Sequence, residues 1–319
     1  MDNNFILFDR IEKIKSVINQ YGEENFYIAF SDGKDSTILS ALIDMAIPKN
    51  QIPRIYADTG IELNMIRNFV YDIQKMDKRF FVIKPTQNIK EILEKYGYPF
   101  KSKEHSCYLK KYQKGGLTYK SVRAYIGIEN TLNDRPIFRG CPKKLLYQFS
   151  EENTLKISDL CCFYLKEQPL KQFSKQNNKP YAITGIMKSE KGRRNQASCL
   201  MYINKKLNKF QPLVPLTKEW EEWFIKEYNI KISDIYKEPY NFSRSGCKGC
   251  PFALHLQKEL DTLEKFFPEE RKQCEIIWKP VYDEYRRIKY RLKDEYYHQI
   301  TFKEFIKNEN KVNKTKKEE

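Results

Sequence analysis

The chain has 319 residues, 40% of them hydrophobic, enough for one large domain or a domain with an appendage. Lys and Arg outnumber Asp and Glu by 58 to 42, and the net charge of +16 points to a polyanionic partner or an acidic substrate; solvated lysines of a Lys-rich composition are the competing reading. No apolar run reaches membrane-spanning length and the first residues carry no signal-peptide pattern, so a cytoplasmic protein with no membrane partner is expected.

Apolar residues at Phe5, Phe8, Ile11, Ile14, Ile18 and Tyr21 recur at helical period and predict a helix over 5–21. A buried strand over 25–30 follows, then a helix over 36–46 ended by Pro48. A second strand over 53–57 closes on Asp58-Thr59-Gly60, with a helix over 62–76 and a third strand over 79–84. This alternation implies a parallel sheet with helices on both faces, which binds ligands at the carboxyl ends of its strands. Residues 31–36 and 58–62 then share one edge of that sheet.

Residues 96–150 are broken by Gly97, Pro99, Gly115, Gly116, Pro136 and Gly140, and irregular helices and loops, in the manner of a substrate cap, are expected there. Beyond them the pattern predicts a helix at 169–174, strands at 180–186 and 198–203, and a helix at 220–228 with Trp220, Trp223, Phe224 and Tyr228 on one face. From 251 to 297 the chain reads as helical, interrupted at Pro268 and Pro280. Residues 256–306 are expected to form a helical C-terminal region, and the Lys-, Asn- and Glu-rich 307–319 a disordered tail.

The turn after the first strand reads Ser31-Asp32-Gly33-Lys34-Asp35-Ser36-Thr37 and runs straight into a helix. Backbone N–H groups and the positive helix end there suit phosphate, with Ser31 and Ser36 hydroxyls and the Lys34 cation to assist. It is not a Walker A loop: Ile28 stands where that motif needs Gly, and Asp35 where it needs Ser or Thr. Asp58, at the carboxyl end of the second strand, is placed to bind Mg²⁺. Asp35 is read as positioning the loop or the metal, and Glu62 as a helix-capping or ribose-touching carboxylate.

Half of the eight cysteines sit in two tight groups, Cys161-Cys162 and Cys247-Lys248-Gly249-Cys250. Three readings compete: an iron–sulfur cluster, zinc, and core cysteines without a metal. Adjacent ligands are awkward for one tetrahedral zinc, whereas a cubane presents separate irons. Cys107, Cys141 and Cys199 show no spacing signal.

The segment Ser31-Asp32-Gly33-Lys34-Asp35-Ser36 resembles the PP-loop, Ser-x-Gly-Lys-Asp-Ser, of the ATP pyrophosphatase and adenylyltransferase superfamily, which cleaves ATP between the α and β phosphates. That loop, then Cys-Cys, then roughly eighty residues, then Cys-x-x-Cys resembles the layout of the adenylyl-sulfate and phosphoadenylyl-sulfate (PAPS) reductase family. Lys166-Glu167-Gln168-Pro169-Leu170, Thr184-Gly185 followed by Arg193-Arg194, and Pro215-Leu216 followed by Trp220 and Trp223 are similar to further family segments.

The resemblance implies an adenine nucleotide α-hydrolase-like, Rossmann-like α/β fold over residues 1–255, with 96–150 as an insertion. It implies a [4Fe-4S] cluster on Cys161, Cys162, Cys247 and Cys250, with ATP and Mg²⁺ as further cofactors. Nucleotide would be held by Ser31, Asp32, Gly33, Lys34, Asp35, Ser36, Thr37, Asp58 and Gly185. Lys34, Asp35 and Asp58 would serve catalysis, and Lys101, Lys103, Arg193 and Arg194 would contact phosphate or sulfate. The reductases carry a nucleophilic cysteine near their C-terminus, and no cysteine follows Cys274 here.

Members with an intact PP-loop and cluster cysteines resemble sulfur-transfer enzymes such as the DNA phosphorothioation enzyme. An ATP-dependent, adenylylating iron–sulfur sulfurtransferase acting on DNA or tRNA is therefore expected, with a sulfur-donor protein such as a cysteine desulfurase as partner. The alternatives are a sulfonucleotide reductase and a non-catalytic nucleic-acid-binding regulator. The nucleic-acid reading also rests on Lys101 and Lys103 and on Arg286, Arg287, Lys289, Arg291 and Lys293, interleaved with Tyr282, Tyr285 and Tyr290.

Overall fold

The computed structural model describes residues 2–129, 131–132, 135–136, 140–188 and 197–293. Arg193, Arg194 and the expected tail at 307–319 lie outside the described residues. The chain divides into two compact units: Met1–Gly97 with Leu160–Lys248, and Tyr98–Asp159 with the chain from Gly249 on.

The first unit is built on a six-stranded sheet. Its strands are β1 (Phe26–Phe30), β2 (Arg54–Ala57), β3 (Phe80–Ile83), β6 (Tyr181–Ile183), β7 (Leu200–Ile203) and β8 (Lys206–Phe210), while β4 (Thr131–Leu132) and β5 (Arg135–Pro136) form a separate two-stranded ladder. The order is β3-β2-β1-β6-β8-β7. All neighbours are parallel except the edge pair β7–β8, so the α/β, Rossmann-like class is as expected. From β1 the chain moves outward through β2 and β3, then crosses back to β6 on the other side of β1. The crevice between β1 and β6 is therefore the topological switch point, where open α/β sheets take their ligands.

Alternation along β1 separates the two faces. Phe26 and Ile28 join a core with α1 (Asn3–Tyr21), α2 (Lys34–Ala46) and α8 (Lys218–Glu227), through Ile14, Ile18, Leu39, Leu42, Trp220 and Phe224. Tyr27 and Ala29 face the other way, with Ile55 and Ala182, against Leu170 and Phe173 of α7 (Gln168–Gln176). The Trp220–Trp223 stripe is thus core packing. Arg54, fully buried on β2, bonds Ser40 Oγ of α2 at 3.1 Å, Asn50 Oδ1 at 2.8 Å and Asp44 Oδ1 at 2.6 Å, fixing α2 to the sheet. The helices α3 (Asn64–Met76) and α4 (Ile89–Tyr96) complete this unit's regular elements up to Gly97.

In the second unit the stretch expected to be irregular carries α5 (Lys103–Gly115) and α6 (Lys120–Ile126). The Ser102 side chain caps α5, accepting from His105 N at 3.1 Å. Then come α9 (Leu256–Phe266) and α10 (Pro268–Arg287). Pro268 opens α10, where a missing N–H costs nothing, but Pro280 lies inside it without ending it. Burial of Cys274, Trp278, Val281, Tyr282 and Tyr285 holds the helix together across that proline. Among the described residues no helix is long and apolar enough to cross a membrane.

Candidate functional site

The loop after β1 sits at the switch point and is tied back on itself. Ser36 Oγ donates to the Gly33 carbonyl at 3.0 Å and accepts from Ser31 N at 3.2 Å, while Thr37 Oγ1 donates to the same carbonyl at 3.2 Å. These hydroxyls shape the turn. Gly33 is the N-cap of α2, and no side chain caps the first turn, so the amides of Lys34, Asp35 and Ser36 point out of the helix end uncapped.

Gly185 completes the cradle from the far side of the switch point. A Cβ built on it would lie 2.9 Å from the Asp35 carbonyl and 3.2 Å from Ser36 N. Any side chain there would collide with the backbone and cover the Ser36 amide. Asp35, half-buried, pairs with Lys218 Nζ at 3.3 Å, and Lys218 pairs with the buried Glu221 at 2.8 Å. Lys34 Nζ stands 5.6 Å from the ring centroid of Tyr236.

Two residues with no motif signal hold the loop from behind. Tyr236, buried, donates to the Asp32 carbonyl at 2.8 Å, and Ser245 Oγ donates to the Ser31 carbonyl at 3.2 Å. Asp32 itself has φ of 56°, in the left-handed region that Asp tolerates better than most residues. Its carboxylate is fully buried, neither oxygen has a hydrogen-bond partner in the protein, and burial pushes its pKa up to about 8. Sequence reading placed Asp32 among nucleotide contacts but gave no hint of this isolation.

Asp58 is already engaged. Its oxygens accept from Arg67 at 3.1 and 3.0 Å, from Tyr71 Oη at 2.8 Å and from Gly60 N at 3.0 Å. Burial alone would raise its pKa, but the Arg67 and Tyr71 hydrogen bonds outweigh it and hold the carboxyl below its ordinary value. A magnesium ion on Asp58 would compete with Arg67. Glu62 accepts from Thr59 N at 3.2 Å, approaches Lys166 Nζ at 3.5 Å, and pairs in an isolated antiparallel bridge with Cys247.

Cys161, Cys162 and Cys247 belong to the first unit and Cys250 to the second. Cys161 is buried and Cys162 half-buried, at the start of the helical turns that lead into α7. Burial pushes the Cys247 thiol up to about 12, partly offset by the Lys166 charge, and a charge on Cys162 would push it further. Among the described residues no group of three or more His, Cys, Asp or Glu converges on a metal position. The donor chemistry of four thiolates suits iron.

Lys101 and Lys103 lie in the second unit, not in the unit of the phosphate loop. Lys101 Nζ donates to Tyr125 Oη at 3.3 Å, and Lys103 is exposed. His105 is buried between Tyr125 Oη at 2.9 Å and Gln148 Oε1 at 2.8 Å, and burial lowers its pKa to about 4. It is a structural imidazole. Tyr282 and Tyr285 are fully buried, which removes them as base-stacking surfaces. Arg286 pairs with Glu275 at 3.0 Å and Arg287 with Glu284 at 2.7 Å, so part of the expected basic face is internally neutralised.

Fold and loop together define an α/β chain with an uncapped, glycine-flanked helix N-terminus at the switch point of its sheet. Residues 138–253 match the family model of the phosphoadenosine phosphosulfate reductase domain, which bears out the resemblance carried by the Cys-Cys and Cys-x-x-Cys segments. An uncharacterized protein of Methanocaldococcus jannaschii is 25% identical over 292 residues, or 86% of this chain, and the chain spans 56% of that relative's length.

The solved structures similar to this chain include three of low identity. One is the PAPS reductase of Candida auris, at 13% identity and TM-score 0.38, covering 70% of this chain and 88% of that one. Another is the U34-tRNA thiolase NcsA of Methanococcus maripaludis with its [4Fe-4S] cluster, at 13% identity and TM-score 0.39, covering 88% and 80%. The third is the FMN adenylyltransferase of Candida glabrata, at 11% identity and TM-score 0.43, covering 76% and 61%.

Proposed function

We propose that this protein is an ATP-dependent adenylylating enzyme that cleaves the α–β bond and serves sulfur transfer, with a nucleic acid as acceptor. One observation carries the reading: the uncapped amides of Lys34, Asp35 and Ser36 at the switch point, with Gly185 kept bare beside the Ser36 N–H. Such a cradle would hold an anionic group of the nucleotide. Lys34 supplies positive charge to pyrophosphate as it departs. An acceptor oxygen attacks the α-phosphorus, the bond to pyrophosphate breaks, and the adenylylated oxygen then leaves as AMP when sulfur attacks the acceptor carbon or phosphorus.

Mg²⁺ would come with the ATP phosphates, keep most of its waters and use one or two carboxylates, with Asp35 the candidate. Cys161, Cys162, Cys247 and Cys250 would hold a [4Fe-4S] cluster, the group that supplies sulfur or redox chemistry when bound. A cysteine desulfurase-type donor would deliver the sulfur. The decisive experiment is ATP–pyrophosphate exchange by anaerobically purified protein, with products identified by mass. Release of ADP and phosphate, or no exchange with any nucleic-acid acceptor, refutes the reading.

A second reading is favoured by the family match over 138–253, which runs from before the Cys-Cys pair to beyond Cys250. It is a sulfonucleotide reductase, which would release sulfite from adenylyl sulfate or PAPS with thioredoxin and a reductant.

A further inference from the structure

The basic residues of α10 are partly neutralised within the protein, and those around α5 are less so. Between Tyr98 and Glu129, seven Lys or Arg residues stand against two acids, Glu104 and Glu129. Two of the seven are balanced: Lys110 pairs with Asp159, and Arg123 with Glu129 at 2.6 Å. Lys103, Lys114 and Lys120 are exposed, and Lys111 Nζ donates to a neutral partner, Ser121 Oγ of α6, at 3.4 Å. Lys103, Lys111 and Lys114 recur at helical spacing on the side of α5 opposite the buried His105, Ser106 and Leu109. Lys120 immediately precedes the serine that Lys111 contacts, so the basic stripe continues from α5 onto α6. The same helix carries an aromatic ring backed by the core. Tyr108, half-buried, stacks on the buried Tyr125 with centroids 4.3 Å apart and planes 20° from parallel. Tyr125 Oη is held in turn by His105 Nδ1 at 2.9 Å, so the outer ring rests on a fixed one. Lys111 Nζ stands 5.6 Å from the Tyr108 centroid, and Lys101 Nζ 5.9 Å from that of Tyr125.

We propose that the α5–α6 face binds a single-stranded segment of nucleic acid, with a base stacked on Tyr108 and backbone phosphates on Lys103, Lys111, Lys114 and Lys120. The inference rests on the nucleic-acid acceptor proposed above and narrows it to unpaired nucleotides, as in a loop, an end or a melted stretch. A backed aromatic ring with cations around it supplies both things a single strand needs, a surface for a base and charge for its phosphates. A duplex would offer phosphates to the same lysines but keep its bases stacked on one another, leaving Tyr108 without a role.

The test is titration of the full chain, without ATP, into a labelled single-stranded oligonucleotide and into its duplex at several salt concentrations. The parent is expected to favour the single strand. Lys114→Ala and Lys120→Ala should each reduce the slope of log affinity against log salt by about 0.7, the share of one phosphate contact on a single strand. Tyr108→Leu should weaken single-strand binding about tenfold and leave the slope unchanged, while Tyr108→Phe keeps the parent affinity. Lys226→Ala, at an exposed position of α8, should change neither. Single-strand binding that survives Tyr108→Leu and both lysine variants overturns this surface and leaves the nucleic-acid acceptor standing. Equal affinity for single strand and duplex also overturns it, and a parent that binds neither overturns the acceptor as well. Binding to phosphatidylserine vesicles but to neither oligonucleotide would assign the face to lipid. Lys114 and Lys120 are exposed, so their variants decide even where Tyr108→Leu fails to fold. Loss of ATP–pyrophosphate exchange would refute the catalytic reading without altering any of these titrations.

Discussion

Gly185 and Asp35 lie closer together than any residue with a side chain at position 185 would allow, since a Cβ would meet the Asp35 carbonyl at 2.9 Å. The contact joins the loop after β6 to the first turn of α2, and it is backbone against side chain, so no rotamer change relieves it. Gly185→Ala is expected to destabilise the protein by about 1–3 kcal/mol through overpacking. Gly185→Val should also abolish nucleotide binding by covering the Ser36 amide. Titration with ATP and thermal unfolding of each variant check this; unchanged affinity in Gly185→Val would remove the loop from the nucleotide site.

Lys34→Ala should lower ATP–pyrophosphate exchange on the order of 10²-fold, because one charge facing the departing pyrophosphate is lost. The effect should fall on kcat more than on KM. A variant as fast as the parent would assign the charge stabilisation to another group.

Asp32 predicts an unusual pH dependence of stability. Its folded pKa of about 8 lies far above the ordinary carboxylate value, so the folded chain keeps a proton that the unfolded chain has released. The contribution is fully present below about pH 4 and is lost as pH rises towards about 8, at up to about 1.4 kcal/mol per pH unit. Asp32→Asn should remove this slope and raise the melting temperature at pH 8. Denaturant titrations of both proteins between pH 5 and 8, without nucleotide, measure it; parallel profiles would mean that Asp32 stays ionised.

Anaerobically purified protein should be brown and carry about four irons per chain. Cys161→Ser and Cys247→Ser should each lose that iron. Stoichiometric zinc in a colourless preparation would reassign the cysteines.

Nucleic-acid binding should weaken steeply with salt, on the order of 10²-fold between low and near-physiological ionic strength for about five phosphate contacts. The informative chain ends at Ile306, because a Lys-rich segment such as 307–319 binds any polyanion. If that chain binds neither DNA nor tRNA at low salt, the +16 charge reflects composition or a small acidic substrate.

The elements that position the phosphate loop were legible because their signals are local. Phe26–Phe30 is an unbroken apolar run, and a Gly-containing turn then opens an apolar-periodic helix. The strand β8 was missed because Lys206–Phe210 carries two lysines and buries only Leu207 and Phe210. Its signal was there in the turn before it: Asn204 and Lys205 have φ of 49° and 63°, the paired left-handed geometry of a tight hairpin. Tyr236 and Ser245 were invisible, since a hydroxyl reaching a carbonyl some two hundred residues away leaves no periodic trace. The isolation of Asp32 is likewise a property of what surrounds it.

The stretch from Tyr236 to Lys248 has a mechanical consequence. It is pinned to the loop after β1 by Tyr236 and Ser245, and to the loop after β2 by the Glu62–Cys247 bridge and by Lys248 N donating to the Ile61 carbonyl at 2.8 Å. One strap thus spans the ends of two neighbouring strands and carries Cys247 at its far end. These contacts predict that the two ends are coupled, so that a modification of Cys247 would alter the loop at Ser31–Gly33, and the reverse. Amide exchange at Lys34–Ser36 would therefore respond to alkylation of Cys247, with the two positions behaving as ends of one lever.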